Sequence, residues 1–468
     1  MSFHNPHNID PNKVFLINFS SLEGRLDPAI YKPRFRFISK SFKNVKLPEI
    51  AWIDPLCIFD KTKEVSFIPM DAIDSTNGIV TYMETKRVGE TKGFTRFKER
   101  DILWAKITPC MQNGKSAIAR NLLNGYGCGS TEFFVIRSKD ENVVKQEYLL
   151  FLLRNEKILK AAMNFFGGSA GQQRVSPLFL QTFNVPIPSI EEQRHFCELL
   201  NQAQNAKIKK EQEAEDLLRS IDDYLLGELE IQLPEMKSQT LQDRMFVLNF
   251  SEVRGNRLDA EYNNPFKHGA ITKVFKMTQY PTALLSSLAK DIFQGVGKNE
   301  TDDTTYILLK VKNILRGNMI DFSDVEYVKS VPQNKLLLRN DIISPFIGEA
   351  IRQIKFSIFN KEEHKYTVDN NTGVIRLKES VNAQYVCEYL CSCLGKMQIE
   401  RLIGGGGVPF IGTSGAKKLS VIIPPLQKQQ EIVDQISAIR ERAKTLQEEG
   451  KAILEQAKKE VEQMILGN

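Results

Sequence analysis

The sequence predicts an α+β fold in which two homologous mixed α/β domains are held apart by two long helices that form an antiparallel coiled coil, a tandem repeat with approximate twofold symmetry. Matching segments recur in the same order about half a chain apart. Each half mixes short β-branched runs with amphipathic segments and ends in a long proline-free segment with apolar residues at helical spacing. At 468 residues the chain is also too long for one ordinary hydrophobic core.

The internal repeat consists of matched segments that keep their order along the chain. The pairs are Asn18-Phe19-Ser20 with Asn249-Phe250-Ser251, Arg25-Leu26-Asp27 with Arg257-Leu258-Asp259, Arg100-Asp101-Ile102 with Asn340-Asp341-Ile342, Val135-Ile136-Arg137 with Val374-Ile375-Arg376, and Gln146-Glu147-Tyr148-Leu149 with Ala383-Gln384-Tyr385-Val386. This spacing is far longer than the repeat of a solenoid protein. The sequence therefore predicts the duplication of one globular domain followed by one helix.

Within each half, the elements are predicted from residue type and spacing. Short apolar or β-branched runs predict strands at residues 101–107, 132–136, 306–311 and 341–346. Helical spacing is found at residues 146–164 and 383–403. Turn signals separate the elements at Asn77-Gly78, Asn113-Gly114, Asn124-Gly125 and Arg316-Gly317-Asn318. The predicted divisions are a first domain at residues 1–187, a helical spacer at 188–234, a second domain at 235–423 and a second spacer at 424–468.

The two long helices show apolar residues at alternating steps of four and three, which is the seam of a coiled coil. In the second helix the seam positions are Ile432, Ile436, Ile439, Ala443, Leu446, Gly450, Ile453, Ala457, Val461 and Met464. The equivalent positions of the first helix are Phe196, Leu200, Ala203, Lys207, Lys210, Ala214, Leu217, Ile221 and Leu225. With about 40 residues, each helix is expected to be about 60 Å long, at 1.5 Å per residue.

The order of the segments predicts that these helices run antiparallel. The first helix leads from domain one to domain two, and the second leaves domain two, so their seams meet only if the second helix runs back. The two domains are then expected at opposite ends of the helical pair, related by an approximate twofold axis. Lys207 and Lys210 interrupt the apolar seam. We expect them to face acidic residues of the second helix or of a partner, and to fix the register.

The composition is that of an ordinary soluble protein, with 42% hydrophobic and 26% charged residues. A net charge of +6 fits a polyanionic partner without requiring one. No apolar run approaches the length of about 18 residues that a membrane span needs, and the N-terminal sequence lacks a signal-peptide core, so a cytoplasmic protein is expected. The seven cysteines are odd in number and irregularly spaced, which favours reduced thiols over a disulfide framework.

A proline-containing motif opens each long helix. The first is Pro186-Ile187-Pro188-Ser189-Ile190-Glu191-Glu192-Gln193, and the second is Pro424-Pro425-Leu426-Gln427-Lys428-Gln429. A glycine- and glutamine-rich stretch, Gly167-Gly168-Ser169-Ala170-Gly171-Gln172-Gln173-Arg174, precedes the first motif. By these motifs and their order, essentially the whole chain resembles the specificity subunits of type I restriction-modification systems. In that family a target-recognition domain and a helical region alternate, and a P-x-P-x-x-E-E-Q motif introduces the helical region.

The resemblance implies a non-catalytic subunit that reads a split sequence in double-stranded DNA, one half for each target-recognition domain. It also implies two modification subunits that bind S-adenosylmethionine and methylate adenine, and it allows restriction subunits to join them. No catalytic residue, metal ion or cofactor is therefore expected in this chain. Twofold symmetry agrees with duplex DNA, where half-sites about 34–36 Å apart can be contacted from one face.

Base edges in the major groove are read by Arg, Lys, Asn and Gln, so residues of these types on loops are the DNA-binding candidates. In the first domain they are Lys86, Arg87, Lys92, Arg96, Gln112, Asn113, Lys115, Gln172, Gln173 and Arg174. In the second they are Lys298, Asn299, Lys312, Asn313, Arg316, Asn318, Arg352, Gln353 and Lys355. At least half of protein–DNA hydrogen bonds go to the backbone, so many of these residues are expected to contact phosphate or to be plain solvated surface.

The polar first turns of the two helices are the candidates for docking the modification subunits. The residues are Pro188, Glu191, Glu192 and Gln193 in the first helix, and Pro425, Gln427, Lys428 and Gln429 in the second. Acids at a helix start are also explained by the helix dipole alone. Because Lys428 stands where an acid is usual, the two docking sites are expected to be unequal.

Enzymatic interpretations of the sequence are weaker. The chain lacks an Asp/Asn-Pro-Pro-aromatic tetrapeptide and a Phe-x-Gly-x-Gly motif, which an adenine methyltransferase would carry. Gly114-Lys115-Ser116 resembles the end of a phosphate-binding loop, but Pro109 stands where the first glycine is needed. Asp341 with Glu363-His364-Lys365 loosely matches a nuclease pattern that arises readily by chance.

Other interpretations concern metals and binding partners. Cys387, Cys391 and Cys393 suggest a metal site, but in the repeat Cys387 aligns with the apolar Leu150, which favours a buried thiol. A related methylation, phage-exclusion or bipartite restriction system remains open, and so does a cytoplasmic coiled-coil scaffold without DNA binding. A scaffold would show no salt-sensitive affinity for DNA.

Overall fold

The computed structural model describes residues 37–60, 63–168, 171–233, 245–250, 253, 258–297, 305–363, 365–404 and 407–467. The chain separates into two compact units. Unit 1 comprises Met1–Lys209 and Glu449–Asn468, and unit 2 comprises Lys210–Glu448. Each unit therefore contains one globular part of the repeat together with segments of both long helices.

Unit 1 is a mixed α/β structure. Its strands are β1 (Lys43–Lys46), β2 (Ala51–Ile53), β3 (Glu64–Ile68), β4 (Ile73–Asp74), β5 (Ile79–Val80), β6 (Glu84–Arg87), β7 (Thr95–Lys98), β8 (Ile102–Ala105), β9 (Ser116–Ile118), β10 (Tyr126–Gly129), β11 (Phe133–Ser138), β12 (Phe166–Gly167), β13 (Arg174–Val175) and β14 (Asn184–Ile187). Its helices are α1 (Leu47–Ile50), α2 (Gln146–Arg154), α3 (Glu156–Ala162), α4 (Pro177–Thr182) and the first part of α5 (Ile190–Glu228).

Two four-stranded sheets form the centre of unit 1. One is antiparallel, in the order β2-β11-β8-β9, and the other has the order β6-β3-β10-β7 with a parallel pair, β3 and β10. Strand β1 pairs with β14, β4 with β5, and β12 with β13, each antiparallel.

Unit 2 is also a mixed α/β structure, and in the described part of the chain two helices lie between α5 and its first strand. Its strands are β15 (Thr282–Leu284), β16 (Ala289–Gln294), β17 (Tyr306–Leu309), β18 (Ile314–Leu315), β19 (Met319–Ile320), β20 (Glu326–Val328), β21 (Ile342–Pro345), β22 (Ser357–Ile358), β23 (Tyr366–Val368), β24 (Thr372–Leu377) and β25 (Ser420–Ile422). Its helices are α6 (Ala260–Asn263), α7 (Pro265–Met277), α8 (Leu285–Leu288), α9 (Ala383–Cys391), α10 (Cys393–Leu402), α11 (Gly412–Ala416) and most of α12 (Leu426–Leu466).

Most strands of the unit 2 sheets correspond to strands of unit 1, although β7 has no counterpart in the described part of unit 2. The antiparallel order β16-β24-β21-β22 corresponds to β2-β11-β8-β9, and β20-β17-β23 corresponds to β6-β3-β10. The parallel pair of β3 with β10 recurs as β17 with β23, and the hairpin β4-β5 recurs as β18-β19. The duplication and the mixed α/β character predicted from the sequence are therefore confirmed.

In unit 1 the central antiparallel sheet is covered on both faces, and alternate residues of its strands serve the two faces. Ile102, Trp104 and Phe134 belong to a core shared with helices α2, α3 and α4. Their neighbours Leu103 and Phe133 belong to a second core, shared with the other sheet. A strand buried on both faces is a continuous apolar run, which is why these strands could be predicted from the sequence.

The same alternation orders unit 2. Ile342 and Ile375 belong to the core on the helical side of the sheet, whereas Ile343 and Val374 belong to the core on the other side. A tyrosine hydroxyl ties the helix after the sheet to the last strand of each unit. Tyr148 donates to the Pro186 carbonyl at 3.0 Å and Tyr385 to the Ile422 carbonyl at 2.7 Å.

Two buried ion pairs occupy equivalent places in the sheets. Arg137 donates two hydrogen bonds to Asp101, at 2.6 and 2.7 Å. Arg376 donates two to Asp341, at 2.9 and 2.7 Å. Each aspartate side chain is 1% exposed, and its hydrogen bonds raise the pKa of the arginine. Two segments that matched in the sequence thus meet in space in both units.

The helices predicted at residues 146–164 and 383–403 are each two helices rather than one. The first breaks at Asn155, whose side chain accepts from the Lys157 amide and caps α3. The second breaks at Ser392, whose hydroxyl accepts from the Leu394 amide and caps α10. Asn and Ser favour caps because their side chains replace the missing intrahelical acceptor. Apolar spacing alone does not register such a break.

The long helices α5 and α12 are confirmed, with 39 and 41 residues. Two predicted seam positions of α12 are wrong: Ile453 and Met464 are 36% and 44% exposed, whereas their neighbours Leu454 and Ile465 are buried. After Gly450 a step of four replaces the predicted step of three. A straight helix with 3.6 residues per turn drifts relative to a strict heptad, which explains this shift.

Lys207, at a predicted seam position of α5, is 3% exposed. It packs against Gly450 of α12, where an added Cβ would lie 3.4 Å from the Lys207 Cα atom. Its amine donates to the Asn77 side-chain oxygen at 3.1 Å. Lys210 is half-buried. That these lysines face acidic groups stays a prediction. None of the helices in the described part of the chain has the length and apolar character of a membrane span.

Candidate functional site

In unit 1, two loops that carry predicted DNA-binding residues lie side by side. The first spans residues 106–115, after β8, and the second spans residues 166–175, of which 166–168 and 171–175 are described. The Thr108 amide donates to the Gln173 carbonyl at 2.9 Å, and the Gln173 amide donates to the Thr108 hydroxyl at 3.2 Å. We call these segments the paired loops of unit 1. Hydrogen bonds of backbone groups join the two loops, so their side chains lie on one continuous surface.

The side chains of the paired loops of unit 1 differ in whether they make hydrogen bonds within the unit. Gln112, Asn113 and Gln172 are exposed. Arg174 instead makes two hydrogen bonds to Glu132, at 2.9 and 2.8 Å, which lower the pKa of that carboxyl. Lys115 donates to the Met70 carbonyl at 3.0 Å. Amide side chains can offer a donor and an acceptor to adenine, so the three exposed amides, Gln112, Asn113 and Gln172, suit base contact best.

Unit 2 has paired loops at the equivalent place. They span residues 346–356 and 403–411, of which 405 and 406 lie outside the described residues. The Gly348 amide donates to the Pro409 carbonyl at 2.8 Å, and Phe410 forms bridges with Ile347 and Gly404. A loop after the central strand therefore joins a glycine-rich loop in both units.

The paired loops of unit 2 expose two predicted residues and one that the sequence did not identify. Arg352 and Gln353 are exposed in the 3₁₀ turn Glu349–Gln353, and Lys355 is half-buried. Phe410 is 49% exposed beside them. An exposed aromatic ring can stack on a base or wedge between base steps. Its position after the glycine run was the available signal.

A second group of candidates lies on the outer face of the β6-β3-β10-β7 sheet in unit 1. The Lys86 amine lies 4.2 Å from the centre of the Phe67 ring, and the Arg96 guanidinium carbon lies 4.8 Å from the centre of the Phe59 ring. An aromatic ring attracts a cation that lies over its face, and the charge of the cation stays accessible to solvent. This face can attract phosphate. Nearby, Arg87 is exposed at 3.9 Å from Glu64, and Lys92 is exposed.

The remaining candidates of unit 2 do not join its paired loops. Asn313 is buried and donates to the carbonyls of Asp321 and Asp324, both at 2.9 Å. The Asn318 side-chain oxygen accepts from the Ile358 amide at 2.7 Å. Both amides thus hold the β18-β19 hairpin and its flanks. Arg316 is exposed, and Lys312 is exposed and pairs with Asp324 at 2.6 Å, which raises the pKa of the lysine. Lys298 and Asn299 lie outside the described residues.

The first turn of α5 forms a capping box. Glu192 accepts from the Ser189 amide and hydroxyl, both at 2.8 Å, and the Ser189 hydroxyl accepts from the Glu192 amide at 3.2 Å. This reciprocal arrangement satisfies donors that a helix start otherwise leaves unpaired. Glu191 is exposed, and Pro188 is buried. Of the two acids in the motif, Glu192 therefore serves the helix start, and docking of a partner at Glu191 stays a prediction.

The motif glutamine fastens each long helix to its own domain. Buried Gln193 accepts from the Lys145 amide at 2.8 Å and donates to the Val143 and Pro188 carbonyls, both at 3.0 Å. These contacts use the amide inside unit 1. Partner docking by this residue stays a prediction.

Gln429 does the same in unit 2. It accepts from the Asn382 amide at 2.9 Å and donates to the Pro424 carbonyl at 2.7 Å. It is 1% exposed. A buried amide that makes these bonds in both units explains why glutamine occupies this motif position in both copies.

The start of α12 lacks the capping box and uses its lysine within unit 2. Pro425 stands where Ser189 stands in the first motif, so neither the hydroxyl nor the amide of that box is available. Lys428 pairs with Glu228 of α5, and this hydrogen bond raises the pKa of the lysine. Gln427 is exposed and donates to Glu431 at 3.1 Å. The two helix starts are therefore chemically different.

Two of the residues considered for nuclease or metal chemistry, Asp341 and Cys387, are buried. Asp341 is buried in its pair with Arg376, while His364 lies outside the described residues. Cys387 is buried in the helical core, as the repeat predicted, and burial raises the pKa of its thiol. Among the described residues, no group of three or more His, Cys, Asp or Glu side chains is arranged to hold a metal ion.

Comparison with known proteins agrees with this geometry. Residues 39–218 and 295–456 match the family described as type I restriction modification DNA specificity domain. The type I restriction enzyme EcoAI specificity subunit of Escherichia coli is 32% identical over 244 residues, which are 52% of this chain and 40% of that protein. The EcoEI specificity subunit of Escherichia coli is 30% identical over 270 residues, 57% of this chain and 42% of that protein. The match thus spans about two-fifths of the length of each relative.

Among solved structures, one from work on complex assembly and conformational transition of the type I R-M system has a TM-score of 0.54. It is 15% identical and covers 91% of this chain and 96% of that chain. At this identity the likeness concerns the fold alone.

Proposed function

Because the chain belongs to the family of type I restriction modification DNA specificity domains, we propose that it is the cytoplasmic specificity subunit of a type I restriction-modification complex. Each globular domain, residues 1–187 and 235–423, reads one half of a split target in double-stranded DNA. The chain itself catalyses no reaction. Reading two half-sites with divergent copies of one fold allows the two halves to differ in sequence.

The observation that carries this proposal is the recurrence of paired loops in both units. In each unit a loop after the central strand is bonded to a glycine-rich loop. The joined surface exposes Gln112, Asn113 and Gln172 in unit 1, and Arg352 and Gln353 in unit 2. These residue types make bidentate contacts to adenine and guanine edges. Basic side chains elsewhere, such as Lys86 and Arg96, would add phosphate contacts that position the domain.

We further propose that α5 and α12 form an antiparallel coiled coil that sets the distance between the half-sites. Three contacts support this pairing. Ala214 of α5 clusters with Ala443 and Leu446 of α12 in unit 2, and Lys207 of α5 packs on Gly450 of α12 in unit 1. Lys207 lies earlier in α5 than Ala214, but its contact Gly450 lies later in α12 than Ala443 and Leu446. This reversed order is expected of antiparallel helices.

The partners proposed for the helical spacers are two modification subunits, with S-adenosylmethionine bound to those subunits and adenine as the methylated base. Restriction subunits would join the same complex. Exposed polar residues at the helix starts, Glu191 in α5 and Gln427 in α12, are the sites at which docking is proposed. Their different surroundings support unequal docking at the two ends.

The proposal is tested by mapping methylated adenines across the genome in strains with and without the chain, in the presence of its modification subunits. We expect one split motif to be methylated only when the chain is present. Unchanged methylation, with modification subunits shown to be active, would overturn the proposed function. Salt-dependent binding of the assembled complex to duplexes that carry this motif provides a second measurement.

Substitutions in one pair of loops are expected to relax one half-site only. Gln112→Ala with Asn113→Ala should lower discrimination in the half read by unit 1 by about 10- to 100-fold, the value of one good bidentate contact. Arg352→Ala with Gln353→Ala should do so in the other half. The methylated motif of each variant checks this. Gln202→Ala, an exposed change on α5, is the control and should leave both halves intact. Equal loss in both halves would contradict the assignment.

The two docking sites are expected to respond differently to the same charge. Glu191→Lys, which reverses the exposed acid of the first helix start, should weaken binding of one modification subunit by about tenfold. Gln427→Lys, at the matched position of the second helix start, should have a smaller effect because Lys428 already contributes positive charge there. Native mass spectrometry of the complex at graded partner concentrations measures the occupancy of each site. Equal weakening by both substitutions would argue against unequal docking.

A further inference from the structure

The turn of the β4-β5 hairpin is fastened to the long helix α5 in unit 1. The side-chain oxygen of Asn77, at the tip of this turn, accepts from Gln204 at 2.7 Å and from Lys207 at 3.1 Å. The Asn77 amide nitrogen donates to Asp74 at 2.7 Å. Lys207 is buried, whereas Asn77 and Gln204 are half-buried, so these bonds are partly shielded from water. Shielding from water strengthens polar interactions. The hairpin is thereby held at one position along the helix.

The same turn is bonded to the paired loops of unit 1. Arg154, at the end of α2, donates to the Ser75 carbonyl of the turn at 2.7 Å. It also donates to the Gly114 carbonyl at 2.9 Å. Gly114 directly follows Gln112 and Asn113 in the first paired loop. A continuous chain of hydrogen bonds therefore leads from α5, through the hairpin turn and Arg154, to the candidate base-reading loop.

Unit 2 makes an equivalent connection with different residues. Arg440 of α12 pairs with Glu388 of α9 at 2.6 Å, and Glu388 accepts from Asn318, in the β18-β19 turn, at 3.4 Å. The Asn318 side-chain oxygen accepts from the Ile358 amide of β22 at 2.7 Å. Strand β22 directly follows the first paired loop of unit 2. The path again runs from the long helix, past the hairpin turn, to the base of the loop.

The two connections occupy matched places in the repeat. Gln204 and Arg440 are each the fifteenth residue of their helix. Each turn contains a glycine with positive φ, Gly78 at 69° and Gly317 at 80°. A Cβ at either glycine would lie 2.7 Å from an arginine side-chain atom. A residue other than glycine would therefore clash with the arginine that packs on the turn. The two connections therefore lie at the same place in the repeat, although different side chains form them. This pattern is expected if the connection serves the placement of the hairpin rather than one particular bond.

We infer that these two connections, which we call the latches of unit 1 and unit 2, are positioning groups for DNA recognition. Each latch holds the paired loops at a fixed place along the spacer helix, so that the spacing between half-sites becomes part of the recognised target. The inference rests on the proposed function. When a latch is weakened, the hydrogen bonds of Gln193 or Gln429 still attach the domain to its helix. The orientation of the domain relative to the helix can then vary. The complex then accepts other spacings, while the loops keep their conformation and their base preference.

The test measures binding of the complete complex, with its modification subunits, to duplexes whose spacer is native or one base pair longer or shorter. For Gln204→Ala we expect the preference for the native spacer to fall by about fivefold, the equivalent of one neutral hydrogen bond. Adding Lys207→Met should lower it further. Arg440→Gln is the corresponding change in unit 2. The matched controls are Gln202→Ala and Gln447→Ala, which alter exposed residues of the same helices and should leave the preference unchanged.

The same duplex series, with single base changes in each half-site, separates spacing from base reading. The inference requires these base changes to cost the variants as much as they cost the wild type. A native-spacer preference that is unchanged in Gln204→Ala and in Arg440→Gln overturns it, and so does a shifted base preference. A wild-type complex that recognises no split sequence overturns the proposed function itself, which is a different result. Because alanine and methionine are good helix formers, the α5 variants are expected to fold.

Discussion

Replacing Asp101 with alanine is expected to lower the free energy of unfolding of unit 1 by about 3–5 kcal/mol. The Asp101 side chain is 1% exposed, and Arg137, which donates two hydrogen bonds to it, is 19% exposed. Alanine would leave the guanidinium charge partly buried without a counterion, and the Lys98 amide, which Asp101 also accepts from at 2.8 Å, would lose its partner. The loss of a counterion is costlier than the net contribution of the pair itself, because desolvation of the remaining charge is no longer offset.

Tryptophan fluorescence during urea unfolding measures this change in one unit, because both tryptophans of the chain, Trp52 and Trp104, lie in unit 1. Asp101→Ala should shift the fluorescence transition to lower urea. Asp341→Ala, the matched change in unit 2, should instead shift the transition seen by circular dichroism. Glu362→Ala breaks the exposed pair with Arg339 in unit 2 and should cost less than about 1 kcal/mol, as measured by circular dichroism. If Asp101→Ala cost no more than Glu362→Ala, the buried pair would not have the assigned role.

Gln193→Glu is expected to lower the free energy of unfolding of unit 1 by about 3 kcal/mol or more at neutral pH. The carboxylate can still accept from the Lys145 amide, but it cannot donate to the Val143 and Pro188 carbonyls, and a charge would be buried. Glutamate has the size and helix propensity of glutamine, so the loss comes from the hydrogen bonds and the buried charge and not from a change of shape. Urea unfolding followed by tryptophan fluorescence measures the loss.

The pH dependence of this variant provides an internal check. Burial would raise the pKa of the new carboxyl in the folded state above its unfolded value. The protonated form is then favoured by folding, so the deficit relative to wild type should be largest and constant above the folded pKa and should shrink as the pH falls from the folded toward the unfolded pKa. Gln202→Glu, on an exposed turn of the same helix, should show no such dependence. A pH-independent deficit would mean that the charge at position 193 escapes burial.

Much of the fold could be predicted because its causes are local in the sequence. Strands buried on both faces are short continuous apolar runs, and the long helices have apolar residues at helical spacing. The matched segments around Asp101, Arg137, Asp341 and Arg376 indicated the duplication, and the structure shows why these residues recur. The break at Asn155 was missed because a capping side chain competes with the helix without interrupting its apolar pattern.

The candidate site could be predicted in type but not in detail. The residue types predicted glutamine, asparagine and arginine on loops as candidates, yet the sequence could not separate Gln112, which is exposed, from Asn313, which is buried and bonded to two carbonyls. The same holds for the helix starts. Glu191 and Glu192 are adjacent acids, but the capping box uses only the second.

The sequence by itself determined the duplication, four central strands, the extent of α5 and α12 and the family, because each of these depends on residue type and spacing along the chain. Only the tertiary structure decided which polar side chains are used inside each unit. Gln193 reaches a backbone amide 48 residues away, and Lys207 reaches a side chain 130 residues away. A buried polar group must find a hydrogen-bond partner, and which group is near enough depends on folding. The hydrogen-bond partners that these side chains find on folding attach each long helix to its recognition domain.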